Sequence, residues 1–328
     1  MHAIFDMQPS DYDDVADTTG FDAERLPAER ADQHFAAVDD DNRVRARCSI
    51  WWRDTARING SRTGAVGHYA ASDAAYGASV LDHALRELKN RGCEIAVGPL
   101  DGSTWRRYRF VTERGDARPF FLEPDNPDEW PSHFRDAGFC PLAHYVSEIN
   151  PDIAHRQPEL GSLPQKFEEL GVEIDAVNVD DPVDDMAGIY QVASESFKHA
   201  FMYTPLDIDS YCRMYEPLLE SVDPRLMLVA RHNGEVVGFI VAPPDFLQLD
   251  YQHKMDAIVL KTVAVVPRKE YSGLGRVLIV RLLKNALAMG FTTAISALMH
   301  VENRSQEISS ACAGPMRAYT LFARALSA

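Results

Sequence analysis

The sequence is short of positive charge, of cysteine and of long apolar runs, and each shortage excludes something. In 328 residues, 49 acidic side chains face 33 basic ones, a formal net charge of −16. A surface of that sign repels phosphate backbones and anionic headgroups, so no nucleic-acid or membrane partner is expected. Lysine is scarcest among the charged residues, with 7 against 26 arginines. The five cysteines, Cys48, Cys93, Cys140, Cys212 and Cys312, are scattered, without a C-x-x-C pair or a histidine cluster at ligand spacing. They read as reduced, mostly buried thiols, and no metal is expected. No stretch reaches the roughly 18 apolar residues of a membrane span. The opening MHAIFDMQPSDYDD has neither the basic run nor the apolar stretch of a secretion signal, and the expectation is a cytoplasmic protein.

What is present is ordinary for a folded chain: 46% apolar and 25% charged residues. The length is about twice that of a typical domain, which suggests two units of roughly 150 residues each. The acidity is uneven. Residues 1 to 42 hold twelve Asp or Glu and two Arg, and so carry ten of the sixteen excess negative charges.

Apolar patterning divides the chain into two similar halves. In the first, Arg43 to Trp52 and Ala65 to Ala70 read as strands joined by a turn at Asn59-Gly60-Ser61. A helix follows with Leu81, Ala84, Leu85 and Leu88 on one face and Gly92 closing it, then a strand from Glu94 to Val97. Residues 101 to 125 form a loop dense in arginine and aromatics. A short helix from Asp128 to Ala137 leads to a strand from His144 to Ile149. Prolines and glycine between Asn150 and Pro164 mark a linker. The second half repeats the order. Val172 to Val179 is a strand, Asp184 to His199 a helix with Asp184 or Asp185 as N-cap, and Asp207 to Leu219 a second helix. Leu226 to Ala230 and Val236 to Ala242 flank His232-Asn233-Gly234-Glu235, a hairpin signal. Ile258 to Val266 is a strand, about Gly275 to Met289 a helix, and Thr293 to Met299 a strand. A helix from about Asn303 and a strand from Met316 to Leu326 close the repeat.

One segment carries chemistry. Residues 262 to 278, TVAVVPRKEYSGLGRVL, run from an apolar strand through a proline and a polar loop to Gly-Leu-Gly at the start of a helix. Backbone N–H groups at a helix N-terminus converge, the helix dipole favours an anion, and glycines admit it close to the main chain. Arg268, Lys269 and Arg276 surround the loop, which suits a phosphorylated ligand. The dinucleotide fingerprint G-x-G-x-x-G is broken by Leu278, and G-x-x-x-x-G-K-S/T has no match. The same residues also fit a plain strand-to-helix turn whose glycines serve packing.

Val265-x-Pro267 followed by Gly273-x-Gly275 resembles the acyl-CoA-binding motif of the GNAT superfamily of N-acetyltransferases, and the order of elements over residues 170 to 326 is similar. The resemblance implies an α/β fold of two tandem GNAT-like domains, each a mixed, mostly antiparallel central sheet flanked by helices. Residues 1–150 would be a degenerate copy, 151–169 a linker and 170–328 the acetyl-CoA-binding domain. It implies acetyl-CoA as co-substrate without a metal, held by Val263, Val265, Arg268, Lys269, Ser272, Gly273, Leu274, Gly275, Arg276 and Asn303. Two positions depart from the family: Glu270 stands where Arg or Gln is usual, and Ser309 or Ser310 stands where many members have a proton-donating tyrosine. In the first half, GAVGHYAASDAAYGASVL lacks the proline, the G-x-G and the basic residues.

The resemblance also assigns roles. The Val265 N–H is the oxyanion donor, Glu302 a candidate base with Asp250, His253 and Asp256 as others, and Tyr319 a candidate acid in place of the missing tyrosine. Phe201, Met202, Tyr203 and Thr204 lie in the loop that covers the acceptor, with Phe201, Tyr203 and Thr204 expected to touch it. The patch Trp105, Arg106, Arg107, Tyr108, Arg109 suits either RNA stacking or an inter-domain, substrate-shaping loop, and the acidity of the chain favours the loop. The implied activity is N-acetylation of a small-molecule primary amine by a monomer or homodimer. A non-catalytic acyl-CoA sensor and a transferase using another donor, such as aminoacyl-tRNA, are the alternatives.

Overall fold

The computed structural model describes residues 3–303 and 308–326. In chain order its first half contains β1 (Ala3–Asp6), β2 (Ala16–Asp17), α1 (Arg25–Ala28), β3 (Gln33–Val38), β4 (Arg43–Trp51) and β5 (Thr63–Ala71). Then come α2 (Ala74–Asn90), β6 (Ile95–Gly98), β7 (Phe110–Glu113), α3 (Trp130–Asp136) and β8 (Cys140–Asn150). The second half contains α4 (Leu163–Glu169), β9 (Val172–Ala176), α5 (Val183–Phe197), α6 (Ile208–Ser221), β10 (Met227–His232) and β11 (Glu235–Val241). It continues with β12 (Ala257–Leu260), β13 (Thr262–Val265), α7 (Leu274–Ala288), β14 (Thr293–His300) and β15 (Gly314–Ala325). The expected helix from Asn303 lies partly outside the described residues. Among them no helix is long and apolar enough to cross a membrane.

Local chemistry explains most of these elements. The Asp73 carboxylate accepts the Ala75 and Tyr76 N–H groups at 3.0 Å and so caps α2, whose Val80, Leu81, Ala84, Leu85 and Leu88 are buried. At the β10–β11 turn, Asn233 and Gly234 both have positive φ, 53° and 82°, as a two-residue hairpin requires. The expected cap of α5 is different. Pro182 occupies the N-cap, and Asp185 turns inward, where it accepts the Asn178 N–H at 2.8 Å and pairs with Arg231.

Among the described residues the strands form two sheets. The larger runs β1-β3-β4-β5-β6-β15-β8-β14-β12, and the smaller runs β13-β11-β10-β9. Besides the short β2, which lies parallel on β4, each half has one parallel pair, β5 with β6 and β12 with β14. The strand that closes each pair comes from the other half: β15 lies antiparallel on β6, and β8 lies antiparallel on β14. β8 and β15 pair with one another at the centre. A division of the chain at residues 150 and 170 therefore follows the repeat but not the sheets. Patterning showed strands at 144–149 and 316–326 without showing their partners, because alternation specifies a face and not a neighbour.

The stretch expected as linker, 151–169, is built into the second half. Ile153 is fully buried, Phe167 belongs to that half's core, and Leu163 packs against Gly273. The first half's core in turn takes Phe322 and Leu326 from the end of the chain, with Phe322 beside Phe110 and Phe134. Phe322→Ala should consequently destabilise the half to which it does not belong in sequence. A loss of about 3–5 kcal/mol is expected, with hydrogen exchange accelerating first along β6; unchanged exchange there would contradict the shared core.

Candidate functional site

Lys261 is the residue at which one strand changes sheets. β12 pairs with β14, whereas β13, directly after Lys261, pairs with β11. The strands β13 and β14 part, and between them opens a cleft of about 1180 Å³ lined by Thr262, Val263, Ala294, Ser296, Ile279 and Leu283, among others. β13 is the outer strand of its sheet. Its Val266 neighbour donates its N–H to the Val237 carbonyl at 2.9 Å. By alternation Val263 and Val265 turn their N–H groups to the open edge. On that outward side Ser196 Oγ donates to the Val265 carbonyl at 3.0 Å, which holds the strand end in place.

The loop after β13 is anchored before it reaches the helix. Tyr271 is buried, with its hydroxyl 2.9 Å from His232 Nδ1 on the β10–β11 hairpin. Gly273 takes φ +96°, and a Cβ there would stand 2.6 Å from Leu163. The first helical hydrogen bonds run from Arg276 and Val277 to the Gly273 carbonyl, so the preceding N–H groups face outward. A Cβ on Gly275 would meet Val263 and Val265 side chains at 3.7 and 3.8 Å, which places the helix N-terminus against the edge strand. Arg268, Lys269, Glu270, Ser272 and Arg276 are exposed around it. The Leu274 side chain is fully buried, leaving only its main chain at the site. Lys166 donates to the Ser272 carbonyl at 2.9 Å, and Arg276 Nη1 lies 3.3 Å from the Glu159 carbonyl. Lys166 is thus a fourth cation, invisible in the sequence because it lies about 100 residues away.

The structure brings Val263, Phe201, Tyr203, Glu302 and Asn303 to the cleft. Thr204 contributes its carbonyl to Trp105 Nε1 at 2.8 Å instead of lining the cleft, and Met202 is buried in the core between the halves. Tyr319 is the clearest correction. It is fully buried at the centre of the large sheet, donates to Glu123, and lies 3.0 Å from Ser147 Oγ. Burial, reinforced by the Glu123 carboxylate, pushes its phenol far above the ordinary value, so it offers no proton to the cleft. Asp250 and His253 are exposed, and Asp256 holds Gln248 Nε2 at 2.8 Å.

Two groups went unnoticed in the sequence. Tyr215 reads as one apolar position on a helix, and Lys261 as an interruption in a strand. Both line the cleft, with Lys261 Nζ 3.5 Å from the Tyr215 hydroxyl. Burial alone would raise the Tyr215 phenol, but the Lys261 ammonium and the Thr262 hydroxyl hold it below its ordinary value. The basic aromatic patch is also accounted for. Trp105 packs edge-on against Phe197, Tyr203 and Tyr211, fastening the loop between α5 and α6 to the first half.

The equivalent split in the first half is filled. Beyond Ala65 and Val97 the parallel pair ends, and the Asp101 carboxylate accepts the His68 N–H at 2.6 Å. Arg25 joins Asp101 and Glu29 at 2.9 Å each, and Glu29 lies 2.9 Å from His68 Nε2. The His68 N–H on that strand is thus occupied by the protein's own carboxylate.

Residues 186–309 match the model of the acetyltransferase (GNAT) family. Among curated proteins no match is found. Solved structures share the fold at low identity. A tandem GNAT protein from the clavulanic acid biosynthesis pathway is 10% identical over all of this chain and 99% of its own, with a TM-score of 0.56. A GCN5-related N-acetyltransferase from Sphaerobacter thermophilus is 13% identical over 94% of this chain and 87% of its own, with a TM-score of 0.51. A glucosamine N-acetyltransferase region in a fungal multi-domain β-N-acetylglucosaminidase is 13% identical with a TM-score of 0.58; the match covers 99% of this chain but only 38% of that one.

Asp101→Ala tests the filled split. With Arg25 and the His68 N–H left without their acceptor, stability should fall by about 3 kcal/mol, read by urea denaturation. Loss of less than about 1 kcal/mol would mean that the carboxylate does not hold the two strands together.

Proposed function

From the match of residues 186–309 to the acetyltransferase (GNAT) family, we propose that this chain transfers an acetyl group from acetyl-CoA to a small-molecule primary amine at the cleft beside β13. Members of the family typically use acetyl-CoA. The observation that carries the reading is the adjacency of the outward edge of β13 to the open N-terminus of α7.

The residues present fit such a cofactor. Gly275 leaves room at the helix N-terminus, where main-chain N–H groups and the exposed Arg268 and Lys269 would receive a diphosphate. Val263 and Val265 would hold the acyl carbonyl. When bound, acetyl-CoA supplies the acetyl group as an activated thioester. The chain's own part is to donate the Val265 N–H toward oxygen as negative charge gathers there, and to move protons. Glu302, at the cleft and exposed, is assigned to take the proton from the amine, directly or through water. Tyr215 is assigned to return a proton to the leaving group, because Lys261 makes its phenol more acidic and Tyr319 is enclosed. The first half, with its own split filled, acts as a wall of the acceptor site.

Calorimetry with acetyl-CoA followed by thiol release against a panel of amines tests the reading. Gly275→Glu, which sets a carboxylate at the diphosphate position, should abolish binding, and retained affinity would move the site elsewhere. Glu270 beside the loop favours a second reading, an acyl-CoA sensor; binding with no turnover on any amine would select it.

Proton donation has its own pH signature. As an acid Tyr215 acts only while protonated, so kcat should fall as pH rises through a value below the ordinary tyrosine pKa of about 10. Tyr215→Phe should lower kcat about 100-fold and remove that limb, and Lys261→Met should move it upward. A limb unmoved by both variants excludes Tyr215.

A further inference from the structure

We infer that the acceptor carries a carboxylate, and that Arg109, supplied by the first half, recognises it. This inference rests on the proposed amine-acetyltransferase reading and narrows its substrate class.

Arg109 lines the cleft and is 7% exposed. Its guanidinium lies between two rings, 3.9 Å from the centre of Tyr108 and 4.2 Å from that of Tyr145. Nη1 is 3.2 Å from the Leu298 carbonyl on β14, across the junction of the halves. That is its only acceptor among the described residues. Nε is buried without a partner, and among the described residues no carboxylate forms an ion pair with this guanidinium. The backbone is held at φ +64° at Arg109 and +57° at Leu298, conformations that a non-glycine residue adopts at some cost.

A buried guanidinium without a counter-charge is an unfavourable arrangement unless something else supplies the anion. Arg317 shows the usual solution in this protein, since its guanidinium meets the equally buried Glu123. Glu123 also lines the cleft, but it is spent on Arg317 and Tyr319. Glu302 lines it too and makes no ion pair with Arg109. The missing partner of Arg109 is therefore a ligand anion. A single buried cation suits the one charge of a carboxylate better than a phosphate dianion, and the guanidinium fork matches carboxylate geometry. Trp105, Phe121, Tyr145, Phe201 and Tyr203 line the same cleft, so the acceptor's body is apolar or aromatic. An aromatic amino acid has the amine, the carboxylate and the ring that this combination requires.

The test separates recognition from chemistry by using a ligand with no amine. Phenylacetate and phenylacetamide differ in charge and little in shape. By calorimetry on the whole chain, phenylacetate should bind wild type about 10-fold or more tighter than the amide, the range for a hydrogen bond to a charged group. Arg109→Gln should erase that preference, and Arg109→Lys, which keeps the charge without the fork, should retain part of it. Equal binding of the two ligands to wild type overturns the inference, as does absence of phenylacetate binding or a preference that survives in Arg109→Gln. Tighter binding of phenyl phosphate than of phenylacetate overturns the carboxylate class. Should the glutamine variant fail to fold, the wild-type comparison and the lysine variant still decide. In the thiol-release assay phenylalanine should show a KM at least about 10-fold below that of phenethylamine. Carboxylate preference without acetylation of any amine would remove the proposed activity and leave the anion site standing.

Discussion

The antiparallel pairing of β8 with β15 is the constraint on which the rest of this protein depends. Each strand ends one half of the chain and completes the sheet of the other, β8 beside β14 and β15 beside β6. Sheet edges left open at β6 and β14 would expose a row of unmet hydrogen-bonding groups. Exchange satisfies both edges at once and couples the two cores, with Phe322 in one and Tyr319 at the seam. The cleft follows from the same arrangement. Because β8 holds β14 in the large sheet while β13 stays with β11, the two strands cannot remain paired, and the space between them becomes the site.

The halves repeat one another in order and differ in what fills that space. In the second half the wedge is bordered by an edge strand with outward N–H groups and by the N-terminus of α7. In the first half the loop after β6 folds back, and Asp101 takes the corresponding N–H. That loop then continues across the seam, where Trp105 holds the cover of the cleft and Arg109 reaches β14. The half that has closed its own cleft thereby furnishes walls for the other.

Much of the fold was legible in local pattern. The hairpin at Asn233-Gly234, the amphipathic α2 with its buried leucines, and the strand, loop and helix around Gly273 all carry their own instructions in turn chemistry and periodicity. The exposed cations beside Gly273 and Gly275 were legible too, because residues a few positions apart must end up close together. The candidate acid was misplaced: Tyr319 alternates in a way that fits either a cleft or a core, and only the position of β15 between β6 and β8 shows that both faces are covered. Asp185 and the stretch 151–169 were misread for a related reason, since their partners Arg231 and Gly273 are far away in sequence.

The sequence by itself determined most of the segments that become strands and helices, and the strand, loop and helix that carry Gly273 and Gly275 with their neighbouring cations. These follow from interactions spanning a few residues. Only the tertiary structure decided which strand closes which sheet, that Tyr215 stands beside Lys261, and that Arg109 is buried at the cleft without a counter-ion among the described residues. Each of those depends on groups brought together across 46 to 230 residues of chain, and no local pattern encodes a neighbour at that distance.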